Sequence, residues 1–89
     1  MIAVSYIYYP DNVHQVNVFR EEEEAKLWLI DELFQLDIMR SWTDIVDGEE
    51  PVDYTEEEDI RKCLLRTELV EIIEGVMWGG DIDIKVAIM

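Results

Sequence analysis

The chain has one cysteine, one histidine, two prolines and seven basic residues against 22 acidic ones in 89 positions. A lone Cys63 excludes an intrachain disulfide and fits a reducing compartment. With His14 the only histidine, neither a zinc site nor a Cys–His nucleophilic pair is expected. The shortage of Lys and Arg leaves no basic patch, so nucleic acid and anionic membrane surfaces would repel the chain. No apolar run is long enough to span a bilayer, and the opening MIAVSYIYYP lacks the basic start of a signal peptide. These features predict a cytoplasmic protein that uses no cofactor and no metal.

What is present is acid. The net charge is −15, while 49% of residues are hydrophobic, too many for a disordered chain. Such a charge opposes compaction by self-repulsion, which suggests that it serves binding or solubility. The acidity peaks from Asp44 to Asp59, DIVDGEEPVDYTEEED, where nine of sixteen residues are acidic and no cation occurs between Arg40 and Arg61. The stretch must face water or a cationic partner.

The flanking pattern predicts structure. IAVSYIYY over residues 2–9 is β-branched and aromatic, as a strand requires, and Pro10-Asp11-Asn12 is turn chemistry. Val13 to Phe19 alternates, with Val16 and Val18 opposite Gln15 and Asn17, which completes a β-hairpin. Glutamates 21–24 suit the positive end of a helix dipole, and the periodicity predicts a helix from Glu21 to Leu36. Its polar arc carries Glu21, Glu24, Asp31, Glu32 and, in their midst, Trp28.

Residues 37–47 read as a short helix or packed loop, and Gly48 and Pro51 break any helix through the acidic stretch. Thr55-Glu56-Glu57-Glu58 reads as a capping box that starts a second helix. That helix runs to about Glu74 or Gly75, or else ends near Thr67 with an extended remainder. Gly79-Gly80 marks a stop. From Asp81, Ile82, Ile84, Val86 and Ile88 alternate against Asp83 and Lys85 as a last strand, expected beside residues 2–9. The expectation is therefore a single α+β domain over residues 1–89. It would have two layers, in the order ββααβ, with a three-stranded antiparallel sheet covered on one face by two helices.

Chemistry is harder to find. Asp44 to Glu50 lacks the ligand spacing of a calcium loop, Gly79-Gly80 is not a phosphate cradle, and Asp81 and Asp83 fit a solvent-facing strand start. Cys63 reads as a helix core residue, and Trp42 and Trp78 as packing aromatics. An enzyme is not expected.

Carboxylates spaced three or four apart on a helix lie about 5–6 Å from each other, comparable to the phosphates along a nucleic-acid strand. In size and charge the chain resembles the small acidic inhibitors, often phage- or plasmid-encoded, that block nucleases, restriction enzymes or CRISPR complexes. The resemblance rests on composition, with no shared motif. It implies a partner that is a basic nucleic-acid-binding protein. Glu56 to Asp59 are accounted for by a helix start, so the expected contact residues are Asp44, Asp47, Glu49, Glu50 and Asp53, with Glu21, Glu24, Trp28, Asp31 and Glu32. The alternative is a regulatory module that binds through a helix face or sheet edge, its acidity serving solubility. A third reading, adaptation to a salt-rich cytoplasm, fits the many aliphatics and glutamates less well.

Overall fold

A computed structural model describes all of residues 1–89, in the order β1 (Ile2–Tyr8), β2 (Val13–Phe19), α1 (Glu22–Gln35), β3 (Trp42–Asp44), β4 (Val52–Tyr54), α2 (Glu57–Arg66), α3 (Leu69–Met77) and β5 (Ile82–Ile88). The chain is mixed α+β. Strands β2, β1 and β5 form an antiparallel sheet in that spatial order, with β1 central.

Val4 and Tyr6 of β1 and Ile82 and Ile84 of β5 share one sheet face. They form a continuous core with Ala25, Leu29, Ile30 and Leu33 of α1, Ile60 and Leu64 of α2, and Leu69 and Ile72 of α3. The reverse face carries Val16 and Val18 in the open. At the β1–β2 turn Asn12 takes a left-handed φ of 52°, as the turn chemistry implies.

Three expectations are corrected. The first concerns the helices after Thr55, where there are two rather than one. Helix α2 stops at Arg66, and Thr67 turns extended (φ −94°, ψ 141°) before α3 begins. The Thr67 hydroxyl donates to the Cys63 carbonyl at 2.8 Å. Lys26 of α1 reaches the end of α2 and donates to the carbonyls of Leu65 (2.8 Å) and Thr67 (3.2 Å). A helix end exposes unpaired carbonyls, and a buried ammonium satisfies them here. Ile60, Cys63 and Leu64 are buried from α2 and Leu69 and Ile72 from α3, so each helix has its own apolar face.

The second correction is the capping box. Glu56, not Thr55, sits at the cap of α2, and no side chain closes it. The acidic first turn, Glu57, Glu58 and Asp59, still complements the dipole.

The third is that residues 37–54 hold a second sheet, the hairpin β3–β4, in place of a helix or loop. The chain enters it through a Schellman turn after α1. Ile38 N–H donates to Leu33 O (3.3 Å) and Asp37 N–H to Phe34 O (3.1 Å), with Asp37 at φ 58°. An aspartate stands where glycine is the usual choice, so the sequence carried no glycine signal for this turn. The architecture is therefore five strands in two sheets with three helices, in the order ββαββααβ.

Candidate partner-binding surface

The β3–β4 hairpin pairs Trp42 with Tyr54, Thr43 with Asp53 and Asp44 with Val52. Its base is anchored by aromatics, since Trp42 and Tyr54 both pack against the core. Trp42 lies directly over α3 at Gly75, where a Cβ would come within 2.8 Å of the indole ring. A glycine inside a helix is unfavourable by about 1 kcal/mol relative to alanine. Here it opens the space that fixes the hairpin.

The tip is a tight turn closed by Glu49 N–H to Val46 O at 3.1 Å, with Gly48 at φ +82°. A positive φ at the third turn position is the glycine-favouring geometry of a type II turn. The Thr43 hydroxyl donates to Asp53 across the strands.

Five of the ten expected contact residues, Asp44, Asp47, Glu49, Glu50 and Asp53, thus come together on one hairpin. None has a basic partner, because the ion pairs of the chain engage Glu23, Asp31, Asp37, Glu57 and Glu58 instead. Among these carboxylates stand Ile45, 74% exposed, and the exposed Val46 and Val52. Periodicity had no means of revealing this mixture of acid and aliphatic, since the tip belongs to a turn.

The α1 residues are divided. Glu21 and Glu24 are exposed at the helix start without cationic partners. Trp28 is half-buried, its ring packed at 5.9 Å from Tyr6 and 5.6 Å from Phe19, so it closes the sheet corner as well as presenting an edge. Asp31 accepts from Arg61 at 2.6 Å. Arg61 also holds Glu57 at 3.0 Å and lies 4.5 Å above the Phe34 ring, a cation–π contact. The Asp31 hydrogen bond, followed by that of Glu57, raises the Arg61 pKa against the opposing effect of desolvation. Asp31 is thus committed to joining α1 and α2. Glu32 stands beside the Tyr6 phenol, whose pKa is raised by burial first and then by the Glu32 charge and hydrogen bond. The expected row of four α1 carboxylates is not a free one.

Two acidic residues outside the expected set lie near these surfaces. A cavity of about 230 Å³ beside the hairpin is lined by Trp42, Thr43, Asp44, Ile45, Thr67 and Glu71. A second, of about 170 Å³ beside the first turn of α1, is lined by Glu22, Glu23, Lys26, Arg66, Thr67 and Glu68 among others. Glu71 thus adjoins the hairpin, and Glu68 the start of α1. They went unseen because a single continuous helix would have aimed them differently. Trp78, expected in the core, caps α3 at 92% exposure.

No group of three or more His, Cys, Asp or Glu side chains is arranged as a metal site. No helix is long and apolar enough to cross a membrane. Compared with known proteins, the chain matches no family model, no curated protein and no solved structure.

Proposed function

We propose that the protein is a non-enzymatic acidic inhibitor that binds and blocks a basic nucleic-acid-binding protein. In this reading it occupies the groove that nucleic acid would fill. The observation that carries the reading is the β3–β4 hairpin, with five carboxylates free of basic partners around exposed Ile45, Val46 and Val52. A turn held by Gly48 and a base held by Trp42 over Gly75 present those charges with little conformational freedom left to lose. That pre-organisation lowers the cost of binding. A net charge of −15 steers the chain toward a cationic groove and speeds encounter, and the aliphatics supply the desolvated centre that interface energy needs. The action would take place in the cytoplasm, without cofactor and without direct contact with nucleic acid, in the manner of anti-CRISPR, anti-restriction or nuclease-inhibitor proteins of phage or mobile elements.

The test is affinity capture from host lysate at about 0.1 M and 0.5 M NaCl, with duplex DNA as competitor, repeated with Asp44→Asn, Asp47→Asn, Glu49→Gln, Glu50→Gln and Asp53→Asn combined. The expected result is a nucleic-acid-binding protein that DNA displaces and that the neutralised hairpin fails to retain. Retention by the neutralised hairpin, or binding that DNA leaves untouched, would discard nucleic-acid mimicry. The second reading, an interaction module that works through an apolar edge, is favoured by one separate observation, the aliphatic free edge of β5.

A further inference from the structure

Both outer strands of the main sheet have a free edge, and the two edges differ. The ladder fixes which backbone groups face outward. Tyr9 N–H donates to Asp81 O at 2.9 Å and Met89 N–H to Met1 O at 2.8 Å, so the odd residues of β5 bond inward to β1. In an antiparallel pair the bonding residues alternate, and Ile82, Ile84, Val86 and Ile88 therefore aim their N–H and C=O groups at the edge. By the same alternation His14, Val16 and Val18 face outward on β2. There the Val18 N–H is already taken by Asn17 Oδ1 at 2.9 Å. Natural edges are blunted by such devices. On β5 no side chain bonds to an outward group, and no proline or bulge interrupts it.

Beside this open edge lies a largely apolar cavity of about 390 Å³. It is lined by Leu69, Val70 and Ile73 from α3 and Ile84, Val86 and Ile88 from β5, with Glu22 as its one charged residue. Ile88 is 85% exposed and Val70 is also open to solvent. Helix α1 packs against β1 and β2, and α3 packs against β5. A second copy carries the same charge of −15, so like-charge repulsion opposes an edge-to-edge pair of this chain.

We propose that the β5 edge is a strand-addition site for an extended cationic segment of a partner protein, aliphatic at every second residue. Backbone bonding to Ile82, Ile84, Val86 and Ile88 supplies affinity. The alternate aliphatic side chains enter the groove under α3, and the residues between them face solvent on the side of Asp83, Lys85 and Ala87. The charge of −15 favours a net positive segment. The site stands apart from the hairpin and does not depend on what the hairpin binds.

A synthetic capped peptide of about nine residues, alternating valine and lysine, is the probe. A block peptide of the same composition, with all lysines first, is its control. Titration at roughly 0.15 M and 0.5 M NaCl is followed by amide NMR shifts and hydrogen exchange. The alternating peptide is expected to slow exchange at Ile84 and Val86 by tenfold or more and to bind about tenfold tighter than the block peptide. Val86→Pro removes an outward N–H while leaving every β1–β5 bond in place, so it should abolish binding in a folded chain. Val16→Pro at the β2 edge should leave binding unchanged, as should neutralisation of the hairpin carboxylates at the higher salt. Equal binding of both peptides, shifts confined to the hairpin or α1, or wild-type affinity in Val86→Pro would overturn the proposal. Loss of hairpin-dependent capture alone leaves this result untouched, so the two readings fail separately.

Discussion

Lys26 is the one buried charged side chain, 7% exposed, and its replacement tests how the two C-terminal helices are held. In Lys26→Met the stem keeps its length and apolar contacts, but the Leu65 and Thr67 carbonyls lose their donor. Hydrogen bonds from a charged donor contribute about 1.5–3 kcal/mol each, and a cation at a helix C-terminus adds about 0.3–1 kcal/mol. Against this, removal of the ammonium relieves a desolvation penalty of several kcal/mol. The carbonyls stay at a partly buried helix end, so we expect a net loss of about 2 kcal/mol. For a chain of this length that lowers Tm by about 8–16 °C. Urea unfolding followed by circular dichroism should show a lower midpoint at unchanged slope. The amides of Leu69 to Ile72 should exchange faster than those of β1. Repeating the measurement at about 0.5 M NaCl screens the general effect of removing a cation from an acidic chain. Glu23→Gln should change stability by less than about 0.5 kcal/mol, because its 3.5 Å pair with Lys26 involves a mostly exposed carboxylate. A Lys26→Met protein as stable as the parent, or more stable, would show that desolvation outweighs the two bonds and would refute the capping argument.

Four further outcomes follow from particular contacts. Gly75→Ala, a change that favours an ordinary helix by about 1 kcal/mol, should instead destabilise and alter tryptophan emission, because the new Cβ meets Trp42 at 2.8 Å; denaturation monitored by fluorescence checks both. Asp37→Gly should stabilise by about 0.5–1 kcal/mol by relieving the left-handed φ of 58°, read from the urea midpoint, since the Arg40 pair it removes is exposed. Tyr6 has its pKa raised above the ordinary 10.0, so the folded state holds the phenol proton longer than the unfolded chain. Stability from this source is intact below pH 10 and falls as pH rises through the folded value, and urea midpoints for the parent should drop more steeply above pH 10 than those for Tyr6→Phe. Trp78→Ala should leave Tm within a degree or two, because a 92% exposed ring contributes little to the fold; a large drop would mean that the ring packs in solution.

Most of the main sheet was readable from local pattern. The β-branched and aromatic run of β1, the alternation of β2 and β5, the turn at Asn12 and the extent of α1 need only nearest neighbours and a few turn residues, and Glu22 to Gln35 forms as the periodicity says. The corrections fall where distant residues act. The break between α2 and α3 depends on a lysine some forty positions earlier, and the β3–β4 hairpin on an indole seated over Gly75. Three-residue strands are too short to show a period. Trp28, placed by its helical angle among acids, is drawn onto Tyr6 and Phe19 because α1 lies against the edge of the sheet.

The same division runs through the functional surface. The sequence by itself determined the sign and size of the charge, the acid-rich segment between Arg40 and Arg61, and the lack of any basic patch. These are properties of composition, and folding cannot change them. Tertiary structure decided which carboxylates are free. Packing of α1 on α2 placed Arg61 against Asp31 and Glu57, the bend at Thr67 set Glu71 beside the hairpin and Glu68 beside the start of α1, and the ladder phase left the aliphatic edge of β5 open. Charge is local to a residue, whereas pairing and exposure depend on which other residues the fold brings within a few ångströms.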